Sequence, residues 1–161
     1  MQKPDSLREA LTVADPELGR DPDRLLMWVE KGRIRAPMTA SRSFGYEYTL
    51  HVVIVSFEGH PSVLFLAINN WLRTNQPDLL AAGGAGAGRG YAFDADIMDN
   101  RKVDLELQLE LTEQVALHPR EDGGWNLEHL AEPPMFPDDE PLSDPPAPLR
   151  QVWWKDELLV P

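Results

Sequence analysis

The residues from Val103 to Leu117 read VDLELQLELTEQVAL, and the first ten alternate without exception between an apolar and a polar side chain. A period of two fits a strand with unlike faces. Val103, Leu105, Leu107, Leu109 and Leu111 would point into a core, while Asp104, Glu106, Gln108, Glu110 and Thr112 face water or a partner. Such a strand needs neighbours, and one packed face with one wet face is the habit of antiparallel sheets.

Those neighbours are visible in the sequence. SFGYEYTLHVVIVSF, Ser43 to Phe57, alternates through Phe44, Tyr46, Tyr48, Leu50, Val52 and Ile54, and then gains Val53, Val55 and Phe57 on its second face. It reads as a strand that starts half exposed and ends buried on both sides. Tyr91, Phe93, Ala95 and Ile97 alternate ahead of a DNRK turn, and EDGG at Glu121 to Gly124 reverses the chain into a shorter strand, Trp125 to Ala131. Together these predict an antiparallel meander.

Three helices are expected. Leu7, Ala10, Leu11, Ala14 and Leu18 make one apolar stripe behind a cap at Asp5 or Ser6, with Pro16 breaking it and a bend at Gly19 to Asp21. The second runs from an N-cap at Asp21 through Pro22 to a C′ glycine at Gly32, burying Leu25, Trp28 and Val29. Pro61 opens the third, where Leu64, Ala67, Ile68, Trp71 and Leu72 share a face and Pro77 ends the run.

The 161 residues suit one domain with one core. A formal charge of −12 repels polyphosphates and disfavours tight nucleic-acid binding. There is no cysteine, which removes disulfides, thiolate metal sites and cysteine nucleophiles. The N-terminus lacks the basic and apolar regions of a secretory signal, and no apolar run has the length that spans a bilayer, so the expectation is a protein that works where it is made.

Local motifs point away from ligand chemistry. AAGGAGAGRGYAF at Ala81 to Phe93 is glycine-rich, but the glycine that a dinucleotide loop requires falls at Arg89 or Tyr91. The segment also follows a helix and opens a strand, the reverse of a phosphate cradle, so it reads as a flexible connection. Asp94, Asp96 and Asp99 lack the sixth-position glycine and final glutamate of a calcium loop. His51, His60, His118 and His129 show no paired metal-ligand spacing, Ser62 is not flanked as a nucleophile elbow, and the acids from Asp104 to Glu110 read as a solvated face. No catalytic, cofactor or metal residue is nominated.

After Glu132 the composition turns to EPPMFPDDEPLSDPPAP, too poor in apolar surface to form a core of its own. This acidic, proline-rich arm leads to QVWWKDELLVP, which can form a hairpin around Lys155 and Asp156. Trp153 and Trp154 either anchor to a partner or fold back on their own domain.

Taken in order, KPDSLREALT (Lys3 to Thr12), TLHVVIVSFEG (Thr49 to Gly59), WLRTNQPD (Trp71 to Asp78), FDADI (Phe93 to Ile97), LTE (Leu111 to Glu113) and EPP (Glu132 to Pro134) resemble the tail completion protein R family of contractile-tailed bacteriophages. WLRTNQPD is the most specific of them. Two stretches depart from the family: the loop after NQPD is glycine and alanine rather than polar, and the terminal hairpin has KD at its turn.

The resemblance implies a structural protein, not an enzyme: a ring, expected to be hexameric, that caps the head-proximal end of the tail tube and stops its polymerisation. The implied partners are sister subunits, the tube protein, the sheath protein and the head-tail connector, with assembly in the host cytoplasm, no membrane and no sequence-specific nucleic-acid binding. DNA passing through an acidic lumen would slide without adhering. The alternatives are an adaptor or collar subunit of the same particle, the counterpart in a headless R-type pyocin, or a small nucleotide-binding or hydrolytic enzyme. Candidate interface residues are Arg89, Trp153, Trp154, Leu158 and Val160. The expected fold is α+β, with four or five mostly antiparallel strands, helices packed on one face, a domain over 1–132 and a C-terminal arm over 133–161.

Overall fold

In the computed structural model, the described residues are 1–38, 42–81, 90–98 and 102–133, together with the backbone of 152–154 and 157–160. Helix α1 spans Lys3–Ala14 and α2 spans Pro16–Arg20. A short turn at Pro22–Arg24 leads into strand β1, Leu25–Arg35, then β2, Phe44–Phe57, and helix α3, Pro61–Asn75. Strands β3, Ala92–Ile97, β4, Val103–Pro119, and β5, Trp125–Leu130, complete the main sheet. Strands β6, Val152–Trp154, and β7, Glu157–Val160, form a separate antiparallel pair.

All pairings in the main sheet are antiparallel, in the order β1-β2-β4-β3, with β5 also on β4. Gln114 and Val115 pair with Gly45 and Phe44 on one side and with Leu130 and His129 on the other. Strand β5 therefore shares the β4 edge that β3 occupies. β3 reaches only as far as Gln108 and β5 begins at Gln114, so Leu109 to Glu113 have no described strand beside them on that edge.

The alternation in β4 positions the core. Leu105, Leu107, Leu109 and Leu111 are buried against Leu50, Val52 and Ile54 of β2 and against Leu7, Leu11, Leu64, Ile68, Trp71 and Leu72 of α1 and α3. Each such side chain contributes about 2 kcal/mol by leaving water. The α3 stripe is buried as its spacing predicts, and the expected α+β architecture with helices on one face is what forms.

The second expected helix is a strand instead. Leu25, Met27 and Val29 point inward at period two, opposite Ile54, Val52 and Leu50, while Trp28 lies on the outer face and is 40% exposed. LLMWV is apolar throughout, so it fits either period, and the unpaired edge of β2 decides between them. Asp21 provides no side-chain cap, and Pro22 starts only the short turn. Gly32 does not end a helix. It belongs to a bulge in which Lys31, at φ 53°, and Gly32 oppose the single residue Tyr48. Gly19 lies inside α2 rather than in a bend; Asp15, which accepts from the Glu17 amide, caps that helix.

The end of β2 also departs from simple alternation. Val53 and Val55 are half-buried on the outer face rather than fully covered. Ser56, at φ 55°, forms a second bulge, so that Phe57 returns to the core face opposite Val103. Its ring packs so closely under Gly59 that a Cβ there would lie 2.6 Å from Phe57 Cζ. Gly59→Ala is expected to lower stability by about 1–3 kcal/mol through overpacking, read as a lower midpoint in thermal or urea unfolding.

Candidate functional site

Polar side chains in the core phase mark the region that needs explanation. Glu113 continues the inward parity of Leu109 and Leu111, yet carries a carboxylate that is only 4% exposed. Its oxygens accept from Tyr48 Oη at 2.6 Å, Tyr46 Oη at 2.9 Å and the Gln2 amide at 2.9 Å. His129 Nδ1 lies 3.0 Å from Oε2 without the alignment of a hydrogen bond. Burial alone would raise the Glu113 pKa, but the donors from Tyr48, Gln2 and Tyr46 outweigh it and hold the group below the ordinary glutamate value. Burial and the same carboxylate push both phenols up, so they remain neutral donors.

A second hub lies beside it. Gln76, 2% exposed, follows α3 and reaches the bare stretch of the β4 edge, where its Oε1 accepts from the Thr112 amide at 3.0 Å and from Lys3 Nζ at 2.7 Å. Its Nε2 donates to Asp78 Oδ1 at 2.6 Å and to Thr112 Oγ1 at 3.1 Å. Lys3 Nζ also meets Glu132 Oε1 at 2.6 Å, tying the first helix to the chain beyond β5. Trp71 Nε1 donates to Ser6 Oγ at 2.9 Å, and Asn75 Nδ2 to the Trp71 carbonyl. One side chain here does the work of a missing strand neighbour.

The outer face is less of a plain solvated surface than its acids suggest. Asp104 accepts from the Ser56 amide at 2.6 Å and Glu110 from Thr49 Oγ1 at 2.9 Å. His51, 7% exposed, stacks on Trp28 at 4.9 Å and lies near Glu106 and Glu30.

A groove of about 450 Å³ opens near the α1–α2 junction, where Asp15, Glu17, Arg24 and Glu58 are the charged residues of its lining. Arg24 donates to the carbonyls of Val55 and Ser56, Glu58 pairs with Lys102, and Glu17 pairs with Arg20. Among the described residues no three His, Asp or Glu side chains converge as metal ligands, and no helix is long and apolar enough to cross a membrane.

Of the candidate interface residues, Arg89 lies outside the described residues. Trp153 and Trp154 fall in β6, and Leu158 and Val160 in β7, where only backbone pairing is described. Neither hub was singled out from the sequence. For Glu113 the available signal was a carboxylate in the inward phase of β4; for Gln76 it was position within the stretch WLRTNQPD.

What the geometry defines is a scaffold in which KPDSLREALT, WLRTNQPD, LTE and EPP, distant in sequence, meet through Lys3, Ser6, Trp71, Gln76, Thr112 and Glu132. The family model of P2 phage tail completion protein R matches residues 1–133, and the chain belongs to that family. A curated relative, tail completion protein R of Escherichia phage P2, is 39% identical over 145 residues, covering 90% of each chain. No solved structure matches. Membership gives the chain a structural role in phage tail completion.

Proposed function

We propose that the chain terminates a contractile tail: a ring of subunits, six in number, caps the head-proximal end of the tube, stops its growth, steadies the last sheath ring and presents a docking surface for the head connector. The observation that carries the reading is the family match over residues 1–133, the span that the Lys3–Glu132 bridge closes. The same boundary supports two parts, an α+β ring-forming domain over 1–132 and a C-terminal arm over 133–161. A ring requires head-to-tail contacts between unlike surfaces, which a separate arm can supply. In this reading the scaffold performs no catalysis. Assembly takes place in the host cytoplasm before the ring enters the particle.

Native mass of the purified chain, alone and with tail tubes, tests this. A closed oligomer, free or on tube ends, is the expected result; a monomer that never joins tubes would overturn it. Truncation before Pro134 is expected to leave the melting temperature within about 2 °C while abolishing assembly. A large loss of stability would instead mean that the arm, with Trp153, Trp154, Leu158 and Val160, folds back on its own domain. Arg89→Glu, tested in the same assembly assay, asks whether the glycine-rich loop meets a neighbour.

A further inference from the structure

The helices cover only part of the sheet. Past Glu113, the inner face continues onto the projecting end formed by the β1–β2 and β4–β5 hairpins, where Ile34 is 71% exposed, Leu127 57% and Trp125 43%. The β1–β2 ribbon is also basic, in a chain of net charge −12, whereas the β4–β5 hairpin sets Arg120 among Glu121, Asp122 and Glu128. Four of the fifteen basic residues, Lys31, Arg33, Arg35 and Arg42, lie between Lys31 and Tyr46, and none of the twenty-seven acids does. Arg33 and Arg35 share a single partner, Glu47, at 3.3 and 2.7 Å, so their cation excess remains. The Arg42 guanidinium sits 5.0 Å above the Trp125 ring, joining the ribbon to the exposed apolar residues of β5.

The chain itself contains a segment of matching chemistry. Residues 134–148 carry four acids, six prolines, the apolar side chains Met135, Phe136 and Leu142, and no base. We propose that the basic β1–β2 ribbon of one copy docks the acidic, proline-rich segment 134–148 of a second copy, with Met135 and Phe136 against Ile34, Trp125 and Leu127 on the inner face, and Asp138, Asp139 and Glu140 crossing the free β1 edge to Arg33 and Arg35 on the outer face. The inference rests on the ring reading and names the contact that closes the ring.

Two features support a neighbour's segment over the chain's own, and the length of the segment permits the reach. Strand β5 runs from Trp125, at the projecting end, back to Leu130 beside Gln114. The Lys3–Glu132 pair then holds the chain next to α1, so it leaves the sheet pointing away from the ribbon. Nineteen peptide units separate Pro133 from Val152, a reach of about 60 Å at full extension, ample for an adjacent subunit. Ribbon and segment are different surfaces, so each copy gives one contact and receives one, the heterologous arrangement that a ring closes. Opposite charges would steer the encounter and set its register, and the buried apolar anchors would slow release.

The full chain, free of native cysteine, allows a direct test by disulfide trapping. R35C and D139C single variants, mixed and oxidised, are expected to give a covalent dimer, and the R35C/D139C double variant a ladder of linked oligomers. An internally linked monomer, or no link between the mixed variants, would overturn the contact. In parallel, R33E/R35E is expected to weaken self-association about tenfold or more, and addition of D138K/D139K/E140K to restore it. If R33E/R35E assembles with unchanged affinity, the docking is wrong while the ring stands. A wild type that remains monomeric both alone and on tubes removes the ring and this contact together.

Discussion

Glu113→Ala is expected to be among the most damaging single substitutions, lowering stability by about 3–5 kcal/mol. The loss comes less from the carboxylate itself than from what it leaves behind. Tyr48 Oη and Tyr46 Oη would keep their buried and half-buried positions with no acceptor, and the Gln2 amide would lose its partner. For a domain of this size the drop corresponds to a melting temperature lower by about 10 °C or more. Glu113→Gln keeps the shape but turns an amide NH₂ toward a donor, and should fall between wild type and alanine. Melting temperatures of the three proteins at neutral pH provide the check.

The same network predicts how stability depends on pH. The folded pKa of Glu113 lies below its ordinary value of 4.5, so its contribution is full above that value and is lost as pH falls through the lower folded pKa. Tyr46 and Tyr48 are shifted the other way, upward from an ordinary 10.0, so theirs is full below that value and is lost as pH rises past it. Wild-type stability should therefore decline at both ends, and Glu113→Gln should flatten the acid limb. Unchanged acid dependence in Glu113→Gln would mean that other carboxylates govern it.

Gln76→Ala is expected to cost about 2–4 kcal/mol, because three groups each lose a partner at once. The Thr112 amide faces a stretch of strand edge with no other described acceptor, Lys3 Nζ retains only Glu132, and Asp78 loses a donor. Gln76→Glu separates the parts of this loss. It keeps an acceptor for Lys3 and Thr112 but abolishes both Nε2 donations and sets a second negative charge beside Asp78. Its melting temperature should lie closer to the alanine variant than to wild type. Hydrogen exchange should also quicken at Thr112 in Gln76→Ala, a local readout that a merely loosened core would not single out.

The fold was legible where periodicity was strong and long. Ten alternating residues in β4, the aromatic alternation of β2 and the five-residue stripe of α3 each define a face, and each face is buried as its spacing implies. β1 departs from the expected helix because LLMWV is apolar at every position and therefore carries no period; Pro22 and Gly32 fit helix punctuation equally well, and the strand partner β2 determines the outcome. Both bulges, at Lys31–Gly32 and at Val55–Ser56, escaped the pattern because a one-residue slip leaves no trace in composition. The hubs were hidden for a different reason. Hydropathy treats Gln76 and Glu113 as surface residues, and only tertiary contact reveals that they are buried with all their main polar groups engaged.

The bare stretch on β4 has one more consequence. A sheet edge is a template for the next strand, and a long flat edge invites copies to add without limit. Here that edge is broken into two six-residue pieces, β3 and β5, with the Gln76 side chain seated in the break where an incoming backbone would pair. β3 further sets Asp94 and Asp96 along its outer face, and the opposite edge of the sheet, β1, is interrupted by its own bulge. A protein of phage tail completion is thus built with edges that resist becoming fibres themselves.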